Sequence, residues 1–168
     1  MLNWIAVEVA IISDTHMPRG GRRLPDACVE RLAGADLIIH AGDFSALSVL
    51  HELQAYGRVV GVHGNVDEAA IRAWLPASRK IDVAGVKLGL VHDGGAVPGR
   101  AARLRRWFPD CAGVIFGHSH IPLHERAPDG FQIFNPGSPT ERRSSPHHTM
   151  GTARVDPAGV RFELVILD

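Results

Sequence analysis

Carboxylate, amide and imidazole side chains recur at short spacings in this chain. They lie in Asp14-Thr15-His16, Gly42-Asp43, Gly64-Asn65, a lone His92, and Gly117-His118-Ser119-His120. These are lone-pair donors of the kind that hold divalent cations, and there are enough of them for two adjacent ions. In extended backbone, residues two apart point to the same face. Asp14 with His16, and His118 with His120, are therefore each expected to reach one site together. Gly42, Gly64 and Gly117 stand directly before donors, where a missing Cβ permits tight turns and close backbone approach. Cys28 and Cys111 lie far apart, in no Cys-x-x-Cys arrangement, and read as reduced, buried thiols. Imidazole mixed with oxygen donors suits manganese, iron, zinc or nickel, and disfavours a pure magnesium or calcium site.

Such donors converge only if the fold fixes the distances between their loops, and apolar runs lead into nearly every one. Residues 7–13 read as a strand ending at Asp14, 36–40 as a second running into Ala41-Gly42-Asp43, and 58–62 as a third closed by His63-Gly64-Asn65. Between them, 26–32 reads as a helix stopped by Gly34. Ser45 is placed to cap a helix reaching Gln54, and Asp67 to cap one through Trp74. Strand and helix repeated three times imply parallel strands with loops emerging at one edge. Beyond Pro76 the chain turns largely to β. Residues 81–83 and 86–91 form a hairpin about Ala84-Gly85, 113–116 is another strand, and 131–134, 151–155 and 160–167 close the fold. Residues 98–108 give a basic amphipathic helix opening on proline, and 17–25, rich in proline, glycine and arginine, must be loop. No repeat or linker interrupts the 168 residues, so a single domain over 1–168 is expected.

The chain carries 18 basic and 18 acidic residues, which offers no global attraction for nucleic acid or an anionic membrane. Any hold on phosphate must be local. The apolar run 5–12 is interrupted by Glu8, lacks a cationic lead-in and reads as a strand, not a signal peptide. No run approaches the length of a membrane span. A globular cytoplasmic protein is expected.

The order of the donor segments resembles the calcineurin-like metallophosphoesterase superfamily, and within it the small bacterial and archaeal phosphodiesterases. That pattern is Asp-x-His, Gly-Asp, Gly-Asn, a lone His, then Gly-His-x-His, and Asn135-Pro136-Gly137-Ser138 looks like the turn that follows it in small members. The resemblance runs from Asp14 to about Thr140. It implies a four-layer α/β/β/α sandwich, two mixed sheets flanked by helices, with the donors on loops at one edge. It also implies two divalent ions, manganese being the usual activator. One would be held by Asp14, His16, Asp43 and His120, the other by Asp43, Asn65, His92 and His118, with Asp43 bridging. Asp43, Asn65 and His92 are the residues it places closest to catalysis. The implied reaction is hydrolysis of a small phosphodiester by a hydroxide held between the ions. The alternatives are a phosphomonoesterase, a hydrolase of nucleotide pyrophosphate links, or a non-catalytic scaffold. A homo-oligomer stays open.

The chain departs from the larger relatives at Val66, where they carry a histidine thought to assist the leaving group. Valine donates no proton, so activated aryl esters should be the better substrates. Asp93 stands where glycine commonly follows the lone histidine, and either orients His92 or a water behind it, or lies exposed in the loop before Gly94-Gly95. Arg142, Arg143 and His63 are the candidates for touching substrate, with Arg19, Arg22 and Arg23 as further cations nearby in sequence. His40 reads as a hydrogen-bonded structural histidine, and Arg100, Arg103, Arg105 and Arg106 as the solvated face of a helix backed by Leu104, Trp107 and Phe108.

Overall fold

β1 (Val7–Ile12) is apolar and buried on both of its faces from Val9 onward, a pattern suited to a strand covered on both sides. Val9 and Ile11 point one way into a core shared with Leu88, Leu90, Ile115 and Phe134, while Ala10 and Ile12 point the other way toward helices. The computed structural model describes residues 4–168, so the first three residues of the expected 1–168 domain lie outside the described residues.

β2 (Leu37–His40) and β3 (Val59–Gly61) continue parallel to β1. β9 (Thr149–Asp156) runs antiparallel on the other side of β1, and β10 (Gly159–Ile166) antiparallel on β9. The first sheet thus has the order β10-β9-β1-β2-β3. The second has the order β4-β5-β6-β8-β7, from β4 (Ser78–Val83), β5 (Val86–Val91), β6 (Gly113–Ile115), β7 (Leu123–Arg126) and β8 (Gln132–Asn135). Its central strands β5, β6 and β8 are parallel, and its edges β4 and β7 antiparallel.

Three apolar clusters separate four layers. The first lies between the sheets. The second packs α1 (Asp26–Ala33), α2 (Leu47–Tyr56) and α3 (Ala69–Trp74) on the first sheet through Cys28, Leu32, Leu50, Leu53 and Ile71. The third packs α4 (Arg100–Trp107) on the second sheet through Leu104, Val114 and Ile133. Each fully buried Leu or Ile contributes roughly 1.5–3 kcal/mol of transfer free energy. This is the α/β/β/α sandwich expected from the sequence. Among the described residues no helix is long and apolar enough to cross a membrane.

Several local expectations need correction. Ser45 does not cap α2. Its backbone is left-handed (φ 81°) and its buried hydroxyl finds no partner among the described residues, and it is Glu68 that accepts from Leu47 N–H, at 2.6 Å. Nor does Asp67 cap α3, because its carboxylate turns toward the loops after β2 and β3. β7 escaped notice because an edge strand reading Leu-His-Glu-Arg, half exposed, shows no apolar alternation. α4 begins after Gly99 rather than at Pro98, and Trp107 is 47% exposed instead of packed. Its arginines are not simply solvated. The guanidinium of Arg103 donates to the carbonyls of Gly94 and Ala96, Arg100 lies over the Phe116 ring, and Arg105 over Phe131, bonded to Asp129. Arg106 alone of the four matches the expectation of an exposed charge.

Candidate metal centre

The loops after β1 and β2 are laced together beyond the strand ends. Asp14 N–H donates to Gly42 O at 2.9 Å, His16 N–H to Asp43 O at 3.1 Å and Met17 N–H to Phe44 O at 3.0 Å. On the second sheet Gly117 N–H donates to His92 O at 2.9 Å. The two sheets meet at the same place. His118 N–H donates to Asp14 Oδ2 at 3.0 Å, and the hydroxyls of Ser138 and Thr140 donate to the carbonyls of Asp14 and Thr15. Asn135, the last residue of β8, donates to Gly117 O at 3.0 Å.

This lacing bends the backbone sharply. Asp14 (φ 56°), His16 (46°), Asp43 (62°), His118 (70°) and His120 (61°) all occupy the left-handed region, which disfavours any residue with a Cβ by about 1–2 kcal/mol each. The donor segments are therefore not extended, and the spacing rule fails for one pair. Asp14, His16 and His120 gather in one buried group, whereas His118 joins Asp43 and His92 in a second. Close approach by glycine is real. A Cβ on Gly64 would lie 2.0 Å from Asp43 Oδ1.

Each carboxylate uses one oxygen to hold position and aims the other into the cluster. Asp14 Oδ2 accepts from the Ser13 hydroxyl at 2.7 Å and from His118 N–H, while Asp14 Oδ1 is buried with no hydrogen-bond donor among the described residues. Asp43 Oδ1 accepts from Val66 N–H at 3.0 Å, leaving Oδ2 to face His92 Nε2 at 3.1 Å and His16 Nε2 at 3.6 Å. The imidazoles are oriented by backbone carbonyls. His92 Nδ1–H donates to Ala41 O at 2.8 Å and His120 Nδ1–H to Glu141 O at 2.9 Å, which turns both Nε2 lone pairs inward. Asn65 Oδ1 lies 3.1 Å from His92 Nε2 and 3.2 Å from His118 Nδ1, and His16 Nε2 lies 3.3 Å from His120 Nε2.

Lone pairs converging at such distances repel unless a proton or a cation lies among them. Burial pushes Asp43 up, but the hydrogen bond and charge of His92, the Val66 N–H and the charge of His16 hold it at about 2. Burial likewise pushes Asp14 up, and His120, His92 and Ser13 outweigh it to hold the carboxyl below its ordinary value. Desolvation pushes His92 down, yet Asp43, Asp14 and Ala41 O raise it overall, whereas for His16 desolvation wins and the ring stays neutral. Two ionised carboxylates, inward-facing imidazoles and an orphaned carboxylate oxygen fit divalent cations.

A family profile described as the calcineurin-like phosphoesterase superfamily domain matches residues 7–157. The chain belongs to that superfamily. Among its curated calcineurin-like relatives, a probable metallophosphoesterase of Methanocaldococcus jannaschii is 35% identical over 139 residues, covering 80% of this chain and 69% of its own. Another, from Methanothermobacter thermautotrophicus, is 30% identical over 159 residues, covering 94% of this chain and 91% of its own. A Thermotoga maritima protein solved by solution NMR is similar at 31% identity, with a TM-score of 0.75 over 96% of this chain and 99% of that one. Vps29 of Entamoeba histolytica, crystallised in complex with zinc, shares the fold at 21% identity and a TM-score of 0.75, with the same coverage.

Against the calcineurin-like pattern, the other candidates separate. Arg143 donates to His118 O at 3.3 Å and so stands beside the cluster, whereas Arg142 turns to Pro146 O in its own loop. His63 is half buried, its Nδ1 3.4 Å from Gly64 O and 3.5 Å from Arg72. Arg22 pairs with Glu141 at 3.2 Å, and Arg19 and Arg23 are exposed. Asp93 is exposed and holds Gly95 N–H at 2.8 Å, leaving the orientation of His92 to Ala41. His40 is fully buried and structural as expected. It accepts from Gly42 N–H at 3.1 Å, so its Nε2–H faces the Thr15 hydroxyl at 3.0 Å, and burial holds it at about 3.

Sequence reasoning missed two residues here. Asp67 accepts from the N–H groups of Asp43, Ser45 and Gly64, tying two donor loops together. Its place directly after Gly64-Asn65-Val66 was the available signal, misread as a helix cap. Glu141, whose carboxylate lies 4.0 Å from His16 Nε2 and 3.9 Å from His120 Nδ1, had no motif to mark it.

Proposed function

We propose that this chain hydrolyses phosphoesters, small phosphodiesters first, with two divalent cations bound by Asp14, His16, Asp43, Asn65, His92, His118 and His120, manganese being favoured. The observation that carries the reading is the single oxygen Asp43 Oδ2, which faces His16 of one donor group and His92 of the other. A carboxylate so placed suits a bridging ligand. Divalent ions held there supply Lewis acidity to phosphoryl oxygens and lower the pKa of water.

The chain's own residues do the rest. Ala41 O and Glu141 O fix the tautomers of His92 and His120, Val66 N–H fixes Asp43, and Arg72 holds the carbonyl of Asn65 at 2.9 Å. The two carboxylates offset only part of the charge of two divalent ions, so the cluster stays cationic and attracts a phosphate anion. Arg143, at the rim beside His118, adds a guanidinium for a non-bridging oxygen. Val66 is 38% exposed and has no proton to give, so the leaving group must be a weakly basic oxyanion that departs unprotonated. Aryl diesters meet that requirement.

The test is metal analysis of the purified protein together with turnover of an aryl phosphodiester, an alkyl phosphomonoester and a dinucleoside polyphosphate. Two equivalents of metal, fastest aryl diester turnover, and loss of both in Asp43→Ala are expected. Faster monoester or polyphosphate turnover would move the assignment to those substrates. A fully metallated yet inactive wild type would replace catalysis with a scaffold role.

A further inference from the structure

β10 forms an edge of the first sheet, eight residues long, paired residue for residue with β9 and free of proline. Beyond the Ile166–Thr149 pair, Leu167 N–H donates to His148 O, so the odd-numbered positions spend their backbone groups on β9. In an antiparallel ladder the intervening positions face away. Val160, Phe162, Leu164 and Ile166 thus present N–H and C=O groups at the open edge. Of these, only the Val160 carbonyl has a partner among the described residues, the Gln132 amide at 3.1 Å.

A long regular edge invites another strand unless charge or a bulge blunts it. The charges here do something more specific. Arg161 and Glu163 are exposed on the same face, and neither is ion-paired among the described residues. Arg161 sits directly opposite Arg154 of β9, whose guanidinium is bound to Glu8 of β1 at 3.0 Å. Like charges opposite one another destabilise a ladder, and among the described residues no strand supplies Arg161 with an anion on its open side.

We propose that β10 pairs antiparallel with β10 of a second copy, about a two-fold axis through Phe162. That register sets Arg161 opposite Glu163 of the second copy and Glu163 opposite its Arg161, at the non-hydrogen-bonded positions where side chains lie closest. An axis one residue away, on Arg161 or on Glu163, opposes Arg to Arg or Glu to Glu. An axis two residues away, on Val160 or Leu164, leaves Arg161 facing Gly159 or Leu167. Charge therefore selects one register and penalises its neighbours. The completed row reads Glu8, Arg154, Arg161, then Glu163 of the second copy. On the opposite face, Leu164, 37% exposed in the isolated chain, meets Val160 of the other copy. The interface is isologous, as a two-fold dimer requires.

The test is sedimentation velocity or light scattering at micromolar concentration, with circular dichroism to check folding. The wild type is expected at twice the chain mass, and Arg161→Glu and Glu163→Arg each at the chain mass. The double reversal should return to twice the mass. Arg161→Glu places a carboxylate opposite Arg154 within its own subunit, so its loss of dimer cannot be assigned to a weakened fold. A monomeric wild type, single reversals that remain dimeric, or a double reversal that stays monomeric would each overturn the pairing.

Discussion

Asp67 offers the sharpest separation between a helix-capping residue and one that positions the metal centre. Its Oδ2 accepts from Asp43 N–H at 3.0 Å and Gly64 N–H at 2.7 Å, and its Oδ1 from Ser45 N–H at 2.8 Å. The residue is 5% exposed. A hydrogen bond to a charged group contributes about 1.5–3 kcal/mol, so Asp67→Ala, which strands three buried donors, should cost about 3–5 kcal/mol after relaxation. That is a large share of the roughly 5–15 kcal/mol of a typical domain. Asp67→Asn is the cleaner change. Its carbonyl can replace Oδ2 and keep the bonds to Asp43 and Gly64, while its amide then confronts Ser45 N–H, donor against donor. The expected cost is about 1–3 kcal/mol. Because the loop that carries Asp43 loses its tether at Ser45, affinity for manganese should fall about 10–100-fold. Urea denaturation of the metal-free protein reads the first quantity, and calorimetric titration with manganese the second. A variant that loses stability but binds metal as the wild type does would refute the positioning role, and one unchanged in both would refute the hydrogen-bond geometry.

Gly64→Ala should eliminate metal at the group containing Asp43, because the added Cβ would lie 2.0 Å from Asp43 Oδ1; full metal content by elemental analysis would contradict this. His40 is neutral and fully buried, with its pKa lowered from 6.5 to about 3. A group protonated more readily in the unfolded chain takes stability away as pH falls, here between 6.5 and about 3, with a slope approaching about 1.4 kcal/mol per pH unit. Denaturation midpoints across that window should fall less steeply in His40→Gln, and equal slopes would count against the burial argument. Asp43, Asp14 and Ala41 O raise the pKa of His92 against the opposing effect of burial, so the metal-free centre keeps a proton there to higher pH than an ordinary imidazole does, and a cation displaces it. Titrations in buffers of different ionisation enthalpy should show proton release that fades as pH rises through the His92 titration, and a heat independent of buffer would exclude it.

Much of the architecture was legible in the sequence because long apolar runs permit few alternatives. Residues 7–13, 36–40 and 58–62 could only be buried strands, and the glycines after them could only be turns. The donor residues were legible for a related reason, since side chains that converge on one edge must sit just beyond such strands. Helix starts were less so. A single aspartate before a helix looks the same whether it caps that helix or reaches across to another loop, and Asp67 reaches across.

Sequence alone therefore determined most of the elements, the edge strand β7 apart, and which side chains carry lone pairs, because both are properties of residue type and local period. Only the tertiary structure shows what enforces the sharing of those lone pairs. His118 and His120 stand two apart in sequence, and the left-handed turns where one loop is laced to the next send them to the different groups that the family resemblance implied. Asp43 Oδ2 faces both groups because Val66 N–H, Asp67 and two packed sheets hold it there. Those contacts span distant segments, and no local pattern encodes them.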